Sequence, residues 1–516
     1  VDQRAGSGAT TKGAPDVSET TLPETTPDPT PAPTPAQSIP SSPPTQPTER
    51  TKIGAGVGRY ASYIFWLMFL INFFNYADRY IFVGLSRQIQ AAYNLNDAEI
   101  GNLASAFIIV YTLTAFPLGY MADKLSRKVV VGAGVALWSL ATAATALAGS
   151  LGSLLAARAL VGVGEGSYYP AGTPLLAAWF TPQRRATVMS RWGVGALVGA
   201  GIGTLIAGFF ASPDRWRLAF YVVGVPGLVL ALLILLTRSK QRNEEDPPED
   251  AGVTGTTFFG KLREYLSIPT LRVILAMHAM GFFALTATSA FLVIYFGAEY
   301  GRGKNSIYGA AGMSDSLVTL LPGVLLLLGG IGGGLYGGFW ANRVARRRSG
   351  ARVYVSALGF LYAIPFIVVT LGAPYILRAL PAYHALSTTT QIAIGATSFA
   401  VFGLGASFFL NVYNGPSSAA LQDVLPPHDR AGGGGLELTL AHLLGDSYAA
   451  TVVGGLSYLL ARGMFGQPGL GGEQIGLALL LTAPIALAIS GAVGVWGSRF
   501  YASDVAKLEA ANAASS

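Results

Sequence analysis

The chain has no cysteine, which excludes disulfides, thiolate nucleophiles and cysteine-ligated metals. Histidine is almost as scarce, at four residues, and zinc needs several such ligands brought together. No metal site and no cofactor are expected. Charge is thin as well. Charged residues make up 12% of the chain, about half the roughly 25% of a soluble protein. No Gly-rich turn leads into Lys and Ser/Thr in the phosphate-loop pattern. No apolar stretch carries a nucleophile–base set such as Ser with nearby His and Asp, so an enzyme is not expected. What fills the space is apolar: 51% hydrophobic residues and a mean hydropathy of +0.47. An integral membrane protein follows. The net charge of +7 does not point to nucleic acid, because the basic residues sit in short loops between apolar runs, as cytoplasmic loops do.

Those runs predict twelve transmembrane helices near 60–85, 98–120, 127–149, 152–180, 187–211, 216–237, 271–298, 316–341, 352–373, 388–413, 432–461 and 474–500. A long polar insertion separates the sixth from the seventh. The expected organisation is a Pro/Thr/Ser-rich disordered tail over 1–52 and a six-helix half over 53–237. A cytoplasmic linker over 238–269, a second half over 270–503 and a C-terminal tail over 504–516 follow. The N-terminal tail lacks the apolar core of a signal peptide. With the N-terminus inside, roughly twenty-five of the basic residues fall on the cytoplasmic side. Both termini are then expected in the cytoplasm. Glycines within the spans, such as Gly195, Gly199, Gly203 and Gly329 to Gly334, read as close helix packing.

Charges at membrane depth mark function, because each costs roughly 2.5–3.5 kcal/mol to insert. The first span carries Asp78 and Arg79 side by side; the fourth carries Arg158 and Glu165. The latter two are seven residues apart and share a helix face, with about 10 Å of rise between them. Asp78 and Glu165 are the proton-coupling candidates, and Arg79 and Arg158 the groups expected to pair with an acid or an anionic substrate. Asp78 ranks first, since the adjacent Arg79 offers the shortest handover. A permanent salt-bridge network that only ties helices together is the competing reading. Aromatic and amide residues in the same and facing spans are candidates to line a cavity: Tyr76, Tyr80, Tyr168, Tyr169, Phe282, Phe283, Asn411, Tyr413 and Asn414. In the second half Glu437, His442 and Asp446, with His278, form a candidate polar cluster; His442 and Asp446, four apart, can face each other.

Gly119-Tyr-Met-Ala-Asp123-Lys-Leu-Ser-Arg127-Lys128 resembles the loop signature of the major facilitator superfamily, Gly-x3-Asp-x3-Arg-Lys. That resemblance implies a fold of two pseudo-symmetric six-helix halves and a cytoplasmic gate at Asp123, Arg127 and Lys128. The second half has a degenerate counterpart near Gly338, with Asn342 where an acid is expected. Asn75-Tyr76-x-Asp78-Arg79-Tyr80, Arg158-x-Leu160-Val161-Gly162-x-Gly164-Glu165, Gly224-Val225-Pro226-Gly227, Gly415-Pro416 with Gln422-Asp423, and His442-Leu443-Leu444-Gly445-Asp446 are together similar to the Spinster branch. This resemblance spans roughly 60–500. It implies proton-linked alternating-access transport of an anionic or zwitterionic amphiphile, of the lysophospholipid or sphingoid-phosphate class. It also implies a monomer with lipid or amphiphile substrate, protons and the membrane as partners, and a bacterial inner membrane as location. Organic-anion/proton symporters of the same superfamily carry a similar first-helix Asn-Tyr-x-Asp-Arg and fourth-helix Gly-x-Gly-Glu, and remain an alternative. A lipid-binding receptor without net transport is another.

Overall fold

The computed structural model describes residues 49–180, 182–238, 258–299, 314–426, 429–463 and 474–515. Among these there is helix and no strand. Most of the expected tail (1–48) and of the expected linker (239–257) lie outside the described residues.

Each predicted span of the first half is one long helix. These are α1 (Glu49–Gly84), α3 (Asp97–Lys124), α4 (Arg127–Thr145), α5 (Leu151–Ala177), α6 (Pro182–Phe210) and α7 (Trp216–Leu235), with a short α2 (Ser86–Tyr93) after the first. The second half has α8 (Phe258–Ser267), α9 (Pro269–Glu299), α10 (Asp315–Ala345), α11 (Ala351–Ala379), α12 (Pro381–His384), α13 (Thr388–Asn411), α14 (Asn414–Asp423), α15 (Arg430–Leu444), α16 (Ala449–Ala461), α17 (Gln474–Gly497) and α18 (Tyr501–Ser515). The predicted eleventh span is thus two helices. The chain breaks at Gly445, whose backbone leaves helical geometry (φ −115°, ψ −82°) and whose Cα faces the Ala279 carbonyl oxygen of α9. A side chain at Gly445 would fill that approach. The glycines 432–435 are helical, as the first turns of α15. The stretch expected to be a C-terminal tail is also helical. Asp504 of α18 accepts from the Thr270 amide (2.9 Å) and hydroxyl (2.7 Å), which caps the start of α9.

Nine helices among the described residues are individually long and apolar enough to cross a membrane. The helices that hold the buried charges, α1 and α5, and the broken α15–α16 are not among them. These spans are carried by their neighbours, and glycine is the means. Gly199 and Gly203 of α6 face the carbonyl oxygens of Phe73 and Ala77 on α1. On α5, Gly162 and Gly166 face α3 at Phe107 and Tyr111, while Gly164 faces Gly134 and Trp138 on α4. Residues two apart on a helix point about 200° away from each other, so alternate glycines let α5 approach a neighbour on each side. Dispersion across such contacts replaces the hydrophobic drive that lipid removes.

The halves meet at the end where α1 finishes and α3 begins. Ser457 of α16 donates to Asp97 Oδ2 (2.5 Å), the Thr451 hydroxyl to Asn102 (3.0 Å) and the Thr451 amide to Ser105 (3.2 Å). Gly101 lies against the Ala450 carbonyl and Gly454 against that of Asp97. Arg87 pairs with Asp315 at 3.5 Å, and Thr204 of α6 sits on Gly323 of α10. This end is sealed. The basic loops lie at the opposite end.

Candidate functional site: a buried charge cluster

Asp78 and Arg79 are neighbours in sequence, but their side chains bond to different helices. Consecutive helical residues diverge by about 100°, and α1 sends the two toward different helices. Asp78 is buried and accepts from the Thr142 hydroxyl of α4 at 2.7 Å. Arg79 turns to α5, where its Nε donates to Glu165 Oε2 at 2.7 Å. The expected direct handover from Asp78 to Arg79 is therefore replaced by an Arg79–Glu165 pair.

The Glu165 side chain is fully buried, whereas that of Arg79 keeps 24% exposure. A charged group at this depth that faced lipid would be strongly disfavoured, so the exposed part of Arg79 opens to an interior space. Three rings surround its guanidinium: Tyr111 at 4.9 Å, Phe107 at 5.0 Å and Tyr76 at 5.2 Å from the ring centroids.

Arg158 is different. It is 3% exposed, and among the described residues no carboxylate lies within ion-pair distance of it. The contact ion pair expected from the sequence does not form, although Asp78 and then Glu165 lie near enough to act on its charge. Its guanidinium lies over Phe82 at 4.2 Å and Phe107 at 4.7 Å. Phe107 thus touches both guanidinium groups. Three polar atoms of the cluster are buried without a hydrogen-bond partner: Arg158 Nε, Asp78 Oδ1 and Glu165 Oε1. Leaving such groups unsatisfied costs several kcal/mol in an ordinary core, and functional sites are where proteins keep them.

The other expected lining residues divide. Tyr76, Tyr80 and Asn411 are half-buried, and Tyr169 and Asn414 exposed. Tyr168 is a packing residue: its hydroxyl donates to the Met68 carbonyl (2.9 Å) and accepts from Trp192 Nε1 (3.0 Å). Phe283 is buried against Tyr448. Asn411 bonds back to Ser407 within its own helix, and Asn414 to Asn411.

In the second half His278 Nδ1 meets Glu437 Oε1 at 2.7 Å, and His442 Nδ1 meets Asp446 Oδ2 at 2.7 Å across the α15–α16 break. Phe282 lies between the two imidazoles, 5.2 Å from each. Tyr413 packs on His278, Phe282 and Phe360. These residues form one layered cluster. Among the described residues no group of three or more His, Asp or Glu could hold a metal ion.

Of the expected gate, the Asp123 side chain lies outside the described residues. Arg127 opens α4, and Lys128 donates to the Thr237 carbonyl at 2.6 Å, closing the end of α7.

Phe82, Phe107, Tyr111 and Thr142 were not singled out by the sequence. Phe82 carried a weak signal, four residues beyond Asp78 and so on its face. The others sit on α3 and α4, whose proximity the sequence does not display.

The family model of the Major Facilitator Superfamily matches residues 68–450. Protein spinster homolog 1 of Xenopus tropicalis is 26% identical over 459 residues, 86% of this chain and 80% of its own length. The Homo sapiens protein of the same name is 27% identical over 432 residues, 79% of this chain and 75% of its own length. Among solved structures, a bacterial homolog of the human lysosomal transporter Spinster, in an inward-facing and unoccupied conformation, superposes with a TM-score of 0.69. It is 21% identical, with 86% of this chain and 98% of that chain covered.

Proposed function

The chain belongs to the Major Facilitator Superfamily, as a Spinster-like transporter rather than an enzyme, and we propose that it carries an amphiphilic anion or zwitterion by proton-coupled alternating access. The observation that carries this reading is Arg158, which makes no contact ion pair among the described residues. A buried guanidinium seated on two rings, with its Nε donor unmet and no carboxylate in ion-pair contact among the described residues, can receive an anionic group, with Asp78 and Glu165 close enough to compete for it. Its aromatic surroundings accept apolar chain. A lysophospholipid or sphingoid phosphate combines the two chemistries, and the Spinster-like sequence supports that class over small organic anions.

The proton would act at Glu165, with Asp78 as the second acid. Protonating Glu165 removes the carboxylate charge, so Arg79 keeps a hydrogen-bond acceptor but loses its ion-pair partner and is held less tightly. Arg79, already partly exposed, is then free to join Arg158 on the anionic headgroup. Loss of the proton on the other side restores the pair and expels the headgroup. With the basic loops in the cytoplasm, the sealed end would face outward, as an inward-facing state requires. Two six-helix halves, both termini cytoplasmic and a bacterial inner membrane complete the reading.

Proteoliposomes loaded with lysophospholipids, sphingoid phosphates or small organic acids, with and without an imposed pH gradient, test it. Wild-type protein should concentrate an amphiphile when the gradient is imposed. Glu165→Gln and Asp78→Asn should bind but not concentrate it, and Arg158→Ala should not bind the anionic headgroup. Binding without flux in wild-type protein would make it a receptor. Concentration of only the short acids would favour an organic-anion symporter. If both acid variants still concentrate substrate, these acids do not couple the proton.

A further inference from the structure

The basic run after α10 divides into two sets. Arg348 lies 3.7 Å from the Tyr354 ring centroid and donates to the Ser498 hydroxyl at 3.2 Å. Arg352 pairs with Asp423, which also accepts from Tyr501. Arg343, Arg346 and Arg347 are exposed and make no ion pair, side-chain hydrogen bond or ring contact with the described residues. Asn342 stands beside them where the first half has an acid, so their own motif supplies no counter-charge.

Their position is set by α10. Leu328, Leu335 and Phe339 are exposed there, the last two at 76% and 63%. At 100° per residue they fall within about 40° of one another. This is a lipid-facing stripe. Arg343 and Arg346 continue it, about 40° to one side of Phe339 and about 20° to the other. They lie about 6–10 Å further along the axis, the depth at which hydrocarbon gives way to headgroups. Trp340, Arg343, Val344, Arg346 and Arg347 line one cleft of about 360 Å³, and Trp340 is held there by stacking on Tyr362 (5.9 Å, 12°).

We propose that this cleft seats the headgroup of an anionic phospholipid of the adjoining leaflet. The phosphodiester lies among Arg343, Arg346 and Arg347, and the first acyl carbons lie on Trp340 and Phe339. Helix C-termini favour cations in general, and basic loops set topology without binding anything. Neither role requires three guanidinium groups, without partners among the described residues, around an aromatic floor at the end of a lipid-facing stripe.

Trp340 is the reporter. The protein is placed in phosphatidylcholine nanodiscs doped with a small fraction of brominated phosphatidylglycerol or brominated phosphatidylcholine. Quenching assigned to Trp340 is the difference between wild type and Trp340→Phe. At about fivefold per arginine near an anionic surface, the preference for the anionic lipid should reach at most about a hundredfold. It should vanish in Arg343→Gln/Arg346→Gln/Arg347→Gln. Should the triple variant fail to insert, Arg346→Gln alone should lower the preference about fivefold. Arg348→Gln, whose guanidinium is engaged elsewhere, should leave it unchanged. Equal quenching by the two lipids in the wild type overturns the proposal. So does an Arg348→Gln effect as large as that of Arg346→Gln, which would indicate diffuse surface charge.

Discussion

Breaking the Arg79–Glu165 pair separates a structural tie from a poised switch. The contact is a single 2.7 Å bond between a fully buried carboxylate and a guanidinium that retains 24% exposure. Removing one partner of a buried pair costs about 3–5 kcal/mol, because the other charge is stranded. Arg79 would not be fully stranded. It keeps three ring faces at 4.9–5.2 Å, each worth roughly 0.5–1 kcal/mol, and its exposed part can be solvated. Glu165→Ala is therefore expected to cost about 2–3 kcal/mol. Glu165→Gln keeps the hydrogen bond but loses the charge, and should cost about 1–2 kcal/mol. The double-mutant cycle with Arg79→Gln isolates the pair, with an expected coupling of about 1–3 kcal/mol. Equilibrium unfolding in detergent micelles at neutral pH, read by tryptophan fluorescence, measures it. A coupling below about 0.5 kcal/mol would mean that the two side chains act independently, and the release step built on their pairing would fall with it.

Three further outcomes follow from the packing. In Gly164→Ala the new methyl would stand 2.6 Å from the Trp138 amide and 2.7 Å from the Gly134 carbonyl; the shift of α4 should cost about 1–3 kcal/mol, and an unchanged melting temperature would refute the close approach. Ser457→Ala removes a charged hydrogen bond between the halves, worth about 1.5–3 kcal/mol. Electron-spin distances between labels on α3 and α16, attached at cysteines introduced into this cysteine-free chain, should broaden toward separation; an unchanged distribution would remove Asp97–Ser457 from the seal. On α8, burial and then the Asp429 carboxylate push the Tyr265 phenol up from 10.0 to about 12. The folded form then holds its proton where the unfolded form has lost it. This contribution to stability is complete below pH 10 and falls as pH rises from 10 to about 12. Ultraviolet titration should show a late phase that loses one tyrosine's worth of amplitude in Tyr265→Phe; an identical titration curve for the variant would refute the assignment.

Hydropathy displayed the helices because length and apolarity are all that a bilayer demands of a span. It did not display the break at Gly445, which depends on the Ala279 carbonyl facing that residue and leaves no trace in composition. Nor did it reveal α8, whose Lys261, Arg263 and Glu264 blend into a charged insertion, although Tyr265 and Leu266 pack into a small core beside Leu271 and Ile274. At the site, the four charged residues stood out from their cost at membrane depth, but their partners did not. Adjacency suggested that Asp78 would answer Arg79, whereas helical geometry turns them apart. For Arg158 the sequence offered two acids; the fold keeps both near enough to act on its charge but puts two rings in contact with it. Partner choice is a tertiary fact, fixed here by which helices the glycines of α5 and α6 allow to approach.

Those same glycines connect the charge cluster to the seal between the halves. Helix α1 is tied to α5 by the Arg79–Glu165 bond and lies on α6 through Gly199 and Gly203. The opposite side of α6 meets the second half directly, with Thr204 on Gly323 and Gly208 under Leu320 of α10. Backbone contacts this close have little compliance. Packed interfaces switch between discrete arrangements rather than deform smoothly. In the proposed cycle, releasing α1 from α5 by a proton on Glu165 would act on an element in close contact with the helix that meets the second half. Contiguity alone does not establish energetic coupling. What makes the route physical is that one of its links, the Arg79–Glu165 bond, has two chemically defined states that a single proton interconverts.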